Sequence, residues 1–140
     1  MSEKRCPGCM SLLDSLFCPN CGWKDGNDNE AAFLHAETVL ADKYLVGRVL
    51  EVSDFGVTYL GYDREKDKKV HIEELFPVSF CTRNDSGAVL PQQEQAPLFG
   101  ELLRRFQGAG IVNGRIREKA AFNAAYDCFN ANDTAYMVYP

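Results

Sequence analysis

The chain has 140 residues, of which 46% are hydrophobic and 25% are charged, and its formal net charge is −5. These values are ordinary for a globular protein and leave room for a small metal-bound segment and one domain with a modest core. The negative charge argues against a general nucleic-acid-binding protein, which usually presents a basic face. No apolar run approaches 18 residues, and the chain begins with polar residues. We therefore expect neither a membrane span nor a signal peptide.

Four of the six cysteines lie within the first 21 residues, as two Cys-x-x-Cys pairs. Cys6 and Cys9 form the first pair, and Cys18 and Cys21 form the second after a gap of eight residues. Each pair places two thiolates on one tight turn, and two such turns complete the tetrahedral site that zinc prefers. The spacing predicts one structural Zn²⁺ in a short zinc ribbon over residues 1–24. Two disulfides or a redox-active pair are the alternatives.

The cysteine content also indicates a cellular compartment. A thiolate metal site without a secretion signal is typical of the reducing cytoplasm. The two remaining cysteines, Cys81 and Cys128, are expected to be unpaired thiols that pack as small hydrophobic residues.

After a polar, turn-rich linker at residues 25–34, the pattern is typical of an α+β domain over residues 35–140. Runs of β-branched and aromatic residues predict three strands, and a closing hairpin predicts two more. These segments are Tyr44–Leu50, Gly56–Tyr62, Val70–Leu75, Ala124–Phe129 and Thr134–Tyr139. Together they predict a five-stranded antiparallel sheet.

One principal helix is predicted between the third and fourth of these strands. It follows an irregular segment at residues 82–97, and its apolar residues recur at helical spacing. The face expected to pack on the sheet consists of Leu98, Leu102, Leu103 and Phe106. The helix is expected to be interrupted by Gly108, Gly110 and Gly114, with a second helical stretch over Arg115–Asn123.

Several ordered segments resemble the N-terminal lobe of bacterial serine/threonine protein kinases. They are Thr38–Leu50, Phe55–Asp63 and Val70–Pro77, and Asn132–Val138 matches the strand that leads into the kinase hinge. The chain is most similar to the subgroup of these kinases that begins with a short zinc ribbon. The resemblance implies a kinase-like N-lobe, in which a glycine-rich loop and a lysine on the third strand would hold ATP.

The residues that would hold the nucleotide are replaced in this chain. The three glycines of G-x-G-x-x-G-x-V fall on Glu51, Ser53 and Gly56, so only the third remains. The phosphate-binding lysine of V-A-I-K falls on Glu73, which reverses the charge. The helix glutamate that would pair with that lysine falls on Gln107–Gly110, which contains no acid. We therefore expect no ATP binding.

The resemblance reaches the gatekeeper position at Tyr139 and the first hinge residue at Pro140, so we expect no catalytic loop and no D-F-G motif. We interpret the chain as a non-catalytic, pseudokinase-like interaction or regulatory module and not as an enzyme. The alternatives are an N-lobe subunit of a split kinase, completed by a C-lobe in trans, and a nucleic-acid-binding ribbon. The surface that a C-lobe would cover, with Phe76, Phe80 and Tyr139 as candidates, is expected to bind a protein partner or a second copy.

Overall fold

The computed structural model describes residues 4–13, 15–24, 26–116 and 127–140. Its strands are β1 Val39–Leu40, β2 Tyr44–Val52, β3 Gly56–Asp63, β4 Lys68–Leu75, β5 Cys81–Arg83, β6 Val89–Pro91, β7 Asp127–Ala131 and β8 Thr134–Tyr139. Six of them form one antiparallel sheet in the order β1-β2-β3-β4-β8-β7. Strands β5 and β6 form a separate hairpin.

The α+β class is confirmed, but the predicted number of five strands is wrong. All five predicted strands are present, and Thr134–Tyr139 has the predicted bounds. The sixth strand, β1, is a two-residue edge strand that pairs Val39 with Leu45 and Leu40 with Tyr44. Two residues are too few to produce a period-two hydrophobic pattern. Residues 124–126 of the predicted fourth strand lie outside the described residues.

The segment predicted to be irregular at residues 82–97 contains regular structure. It holds most of the β5–β6 hairpin and a turn of 3₁₀ helix at Gln93–Gln95. The hairpin turn is organised by Asn84, whose side-chain oxygen accepts hydrogen bonds from the backbone N–H groups of Ser86 and Ala88, both at 3.0 Å. Asparagine is common in turns because its side chain makes this type of local bond.

The principal helix, α1, spans Ala96–Ile116. It continues through the three glycines expected to interrupt it, although a glycine inside a helix costs about 1 kcal/mol relative to alanine. Leu102, Leu103 and Phe106 pack against the core as predicted, but Leu98 is 44% exposed and its neighbour Phe99 is buried instead. Residues 117–123 of the predicted second helical stretch lie outside the described residues. No helix in the part of the chain that the structure describes is long and apolar enough to cross a bilayer.

Strand β3 is buried on both faces. Val57 and Tyr59 belong to the main core, together with Phe99 of α1. Leu60 and Tyr62 belong to a second, smaller cluster that includes Met10 from the cysteine-rich segment. Because alternate side chains of a strand point to opposite faces, the cysteine-rich segment lies on the face of the sheet that is turned away from the main core.

Candidate functional site

The four N-terminal cysteines form a compact cluster. The sulfur atoms of Cys6, Cys9, Cys18 and Cys21 all lie within 4.8 Å of one another. The Sγ–Sγ distance is 3.6 Å between Cys6 and Cys21 and 3.7 Å between Cys9 and Cys18. A tetrahedron with metal–sulfur bonds of about 2.3 Å has edges of about 3.8 Å, whereas a disulfide bond is about 2.05 Å long. The cluster therefore has the dimensions of a metal site, and its cysteines are free thiols.

Each cysteine pair lies on its own backbone turn, and the two turns have the same hydrogen-bond pattern. In the first pair, the N–H of Met10 donates to the carbonyl of Cys6 at 2.6 Å, and in the second the N–H of Gly22 donates to Cys18 at 2.9 Å. Each turn is then closed by a hydrogen bond from the first cysteine's N–H to the carbonyl five residues later, at 2.8 Å in both pairs. This repetition brings the pairs together as two equivalent halves of one site.

The local environments of the thiols shift their pKa values in opposite directions. Burial raises the pKa of the Cys6 thiol to about 12. Burial also opposes ionisation of Cys9, but hydrogen bonds from Ser11 and Asn20 outweigh it and lower that pKa to about 6. The Asn20 side-chain nitrogen lies 3.4 Å from the Cys9 sulfur. The environment therefore favours the thiolate at Cys9 and the thiol at Cys6, and metal binding to the cluster would release protons.

The predicted nucleotide-site residues lie around a tight turn between β2 and β3. The N–H of Ser53 donates to the carbonyl of Gly56 at 2.8 Å, and the N–H of Gly56 donates to the Ser53 hydroxyl at 3.1 Å. Glu51 is exposed on β2. The turn therefore uses two of its N–H groups internally, and these are the type of group that cradles phosphate in a kinase loop.

The glycine that remains at position 56 has a packing role. A Cβ atom at Gly56 would lie 3.0 Å from the carbonyl oxygen of Glu74 and 3.7 Å from Oε2 of Glu73. The backbone of β4 thus approaches this position so closely that a side chain here would force it to shift by a few tenths of an ångström. The structure brings Ser53, Gly56 and Glu73 together, and the exposed Glu51 lies in the same cross-strand row as Glu73, with Thr58 between them.

Glu73 is half-buried and has a partner at the end of the sheet. The hydroxyl of Tyr139 donates to Oε1 of Glu73 at 3.1 Å. Burial, together with the charge of Glu73, raises the pKa of Tyr139 well above its ordinary value, so the tyrosine remains a hydrogen-bond donor. In the alignment predicted from the sequence, the position of the phosphate-binding lysine therefore holds a hydrogen-bond acceptor, and its donor is the residue at the predicted gatekeeper position.

Sequence reasoning missed a buried polar cluster around the neighbouring residue, Glu74. This side chain is fully buried and accepts hydrogen bonds from the hydroxyls of Tyr59 at 2.9 Å and Tyr136 at 2.5 Å. The guanidinium of Arg83 pairs with it at 2.6 Å. Burial, together with the charge of Glu74, raises the pKa of both tyrosines. A hairpin signal was available at Asn84–Gly87, a turn sequence between two short apolar segments, and it would have placed Arg83 on a strand.

The two remaining cysteines lie apart from the cluster. Both are free thiols, as predicted. Cys81 is buried, which raises its pKa to about 11. Cys128 is half-buried, and burial followed by the charge of Asp127 raises its pKa. Neither thiol is therefore ionised near neutral pH.

A comparison with solved structures shows the fold. The chain is similar to a structure described as "PpkA-294 apo form", a fragment of a bacterial serine/threonine kinase, with a TM-score of 0.68 and 20% sequence identity. The similarity covers 77% of this chain and 38% of that chain, so the chain spans less than half the length of that fragment. At this identity the likeness shows a kinase-like fold and nothing further. No protein-family model and no curated protein matches the chain.

Proposed function

We propose that the chain is a zinc-binding, non-catalytic module built on a kinase N-lobe, and that it acts by binding another protein. Zinc is the metal that best fits four thiolates at tetrahedral spacing. The similarity to a kinase fragment and the ordered kinase-like segments support the N-lobe assignment. The free thiols favour a reducing cytoplasm.

The observation that carries the non-catalytic assignment is the contact between Tyr139 and Glu73. A kinase needs a cation at this position to pair with the nucleotide phosphates. Here the side chain is a carboxylate whose oxygen accepts the Tyr139 hydroxyl. In the adjacent turn, the N–H groups of Ser53 and Gly56 are bonded within the turn itself, so these two groups are not free to bind a phosphate. Each lost charge-assisted contact weakens binding by about 1.5–3 kcal/mol, so affinity for ATP would be abolished.

The partner is proposed to bind on the surface that a C-lobe covers in a complete kinase. Two residues expected to line that surface are unsuitable, because Phe76 and Phe80 are buried in the main core. Tyr139 is half-buried, and Phe55 at the tip of the turn is 52% exposed. We therefore place the interaction, with a protein partner or with a second copy, on the side of the molecule where Glu73 lies, near these two aromatic residues.

Two measurements test this function on protein purified without chelators. Elemental analysis should find about one zinc per chain, and a Cys18→Ser, Cys21→Ser variant should contain none. Thermal-shift titration with Mg-ATP into the millimolar range should leave the melting temperature unchanged. Absence of zinc would contradict the metal assignment. A saturable shift that Tyr139→Ala abolishes would contradict the non-catalytic assignment and favour the split-kinase alternative.

A further inference from the structure

The first cysteine turn is bonded directly to strand β2. The backbone N–H of Arg48 donates to the carbonyl of Pro7 at 2.9 Å, and its side-chain Nε donates to the carbonyl of Gly8 at 2.8 Å. Pro7 and Gly8 are the two residues between Cys6 and Cys9. The metal-ligating turn therefore presents its own backbone carbonyls to the sheet.

The approach between the two segments is close enough to depend on a glycine. A Cβ atom at Gly47 would lie 2.4 Å from the carbonyl oxygen of Pro7 and 2.6 Å from the terminal methyl of Met10. These distances are shorter than real side chains tolerate, and one of the two groups is backbone, which cannot rotate away. Position 47 therefore admits the cysteine turn only because it has no side chain.

Met10 is the residue of the cysteine turn that packs against the sheet. It is 1% exposed and packs with Leu60 and Tyr62, with Leu45 and Leu50 partly buried around them. The guanidinium of Arg5 lies 4.2 Å over the Tyr62 ring and also donates to the carbonyl of Met10 at 3.2 Å. The position of Met10 is fixed by its hydrogen bond to Cys6 within the turn. The same turn thus holds two metal ligands and the residue that covers this face of β3.

We propose that the metal-bound first turn is a brace for the outer face of strands β2 and β3, so that metal loss frees Met10 and uncovers Leu60 and Tyr62. This inference rests on the proposed zinc binding. A cysteine-rich segment of this size has too little core to fold without its metal, so its contacts with the sheet depend on occupancy. Strands β2 and β3 also flank the 53–56 turn.

Hydrogen exchange read by mass spectrometry tests the brace. The zinc-loaded protein is compared with the same protein after zinc removal by EDTA under reducing conditions. Peptides from β2 and β3 should exchange about tenfold faster or more without zinc, the factor expected for losing the burial of one methionine side chain. Peptides from β8 should be unchanged and serve as the internal reference. Unchanged exchange in β2 and β3 after zinc is lost, or an equal increase in β8, would overturn the brace.

A second arm breaks the contact while leaving the metal ligands intact. Gly47→Val should keep about one zinc per chain and yet show the faster exchange of β2 and β3. Arg48→Ala, which removes only the side-chain bond to Gly8, should show a smaller increase in the same peptides. Gly108→Val is the matched control, because among the residues that the structure describes no atom outside its chain neighbours and its own helix backbone lies within 4 Å of the added Cβ position.

The outcomes separate the two proposals. A protein that binds no zinc contradicts the proposed function. A protein that binds zinc and whose Gly47→Val and Arg48→Ala variants both exchange like the wild type contradicts the brace alone.

Discussion

The cysteine cluster and the buried Glu74 cluster gather ionisable groups in opposite ways. The four thiols come from two short turns within 16 residues of sequence, and each turn is closed by its own backbone. The Glu74 cluster joins Tyr59 on β3, Arg83 on β5 and Tyr136 on β8, and the last of these lies 62 positions from Glu74. The first site depends on local geometry, whereas the second exists only after the strands have paired.

Glu73 and Glu74 show the same contrast within one strand. Adjacent side chains on a strand point to opposite faces, and here Glu74 lies on the core face of the sheet and Glu73 on the other face. Glu73 is half-buried and accepts one hydroxyl, from Tyr139. Glu74 is fully buried and accepts two hydroxyls and a guanidinium. A buried carboxylate needs this degree of compensation because an unpaired charge in the interior is very costly.

The largest effect on stability is expected from Arg83→Met. The Arg83 and Glu74 side chains are 5% and 0% exposed, so the substitution leaves a carboxylate in the core without its cation. We expect the free energy of unfolding to fall by about 3–5 kcal/mol, measured by urea denaturation.

Arg104→Met is a matched control for that change. Arg104 pairs with Glu101 at the same distance of 2.6 Å, but the two side chains are 72% and 45% exposed on α1. Solvent screens this pair, so its loss should leave the denaturation midpoint unchanged within error. An equal loss of stability in the two variants would show that burial does not separate the two pairs.

The difference between local and long-range sites explains what the sequence could predict. Two Cys-x-x-Cys pairs specify their own turns, so the cluster of Cys6, Cys9, Cys18 and Cys21 was predictable without any knowledge of the fold. The strand at Thr134–Tyr139 was predictable because its apolar and β-branched residues are continuous. The carboxylates at positions 73 and 74 lie on opposite faces because side chains alternate along a strand, which the sequence alone implies once the strand is assigned.

Features that depend on partners distant in sequence were not predictable. Nothing local to Glu74 indicates that Arg83 will face it, because the turn signal at Asn84–Gly87 places Arg83 on a strand but does not say which other strand it meets. The continuation of α1 through Gly108 was missed because helix propensity says nothing about the packing of Leu102 and Phe106 on the sheet. The contact between the cysteine turn and the sheet was missed because nothing in the sequence near Gly47 indicates that the Pro7 carbonyl packs against it.

A smaller effect is expected when one hydroxyl is removed from each glutamate. Tyr136→Phe deletes the donor to the buried Glu74 and the acceptor for the Asn132 side chain, and should cost about 1.5–3 kcal/mol. Tyr139→Phe deletes the donor to the half-buried Glu73, and should cost about 0.5–1.5 kcal/mol. Both are measured by urea denaturation against the wild type. A larger loss for Tyr139→Phe would reverse the assignment of Glu74 as the buried, structure-holding member of the pair.

The smallest effect is expected at Asp28. This carboxylate is exposed, unlike Glu74, and most of its hydrogen bonds come from backbone N–H groups. Its Oδ1 accepts the N–H groups of Ala36 at 2.7 Å and Asn29 at 2.8 Å, and its Oδ2 lies 2.7 Å from Nδ1 of His35. Partial burial works to raise the pKa of Asp28, but the hydrogen bonds from Ala36, His35 and Asn29 outweigh it and lower the pKa.

A lowered folded-state pKa means that Asp28 stabilises the fold above the unfolded-state pKa of an aspartate, about 3.9, and that this contribution is lost as the pH falls through the folded-state value. Asp28→Asn should therefore reduce stability near neutral pH, by less than about 1 kcal/mol because the side chain is exposed and screened. The difference from the wild type should shrink on acidification, in thermal melts recorded between pH 7 and pH 3. Glu30→Gln, at a nearby exposed acid, is the control for the loss of one negative charge. A difference for Asp28→Asn that grows toward acid would mean that its carboxylate opposes the fold, because only a group with a raised folded-state pKa contributes more as the pH falls.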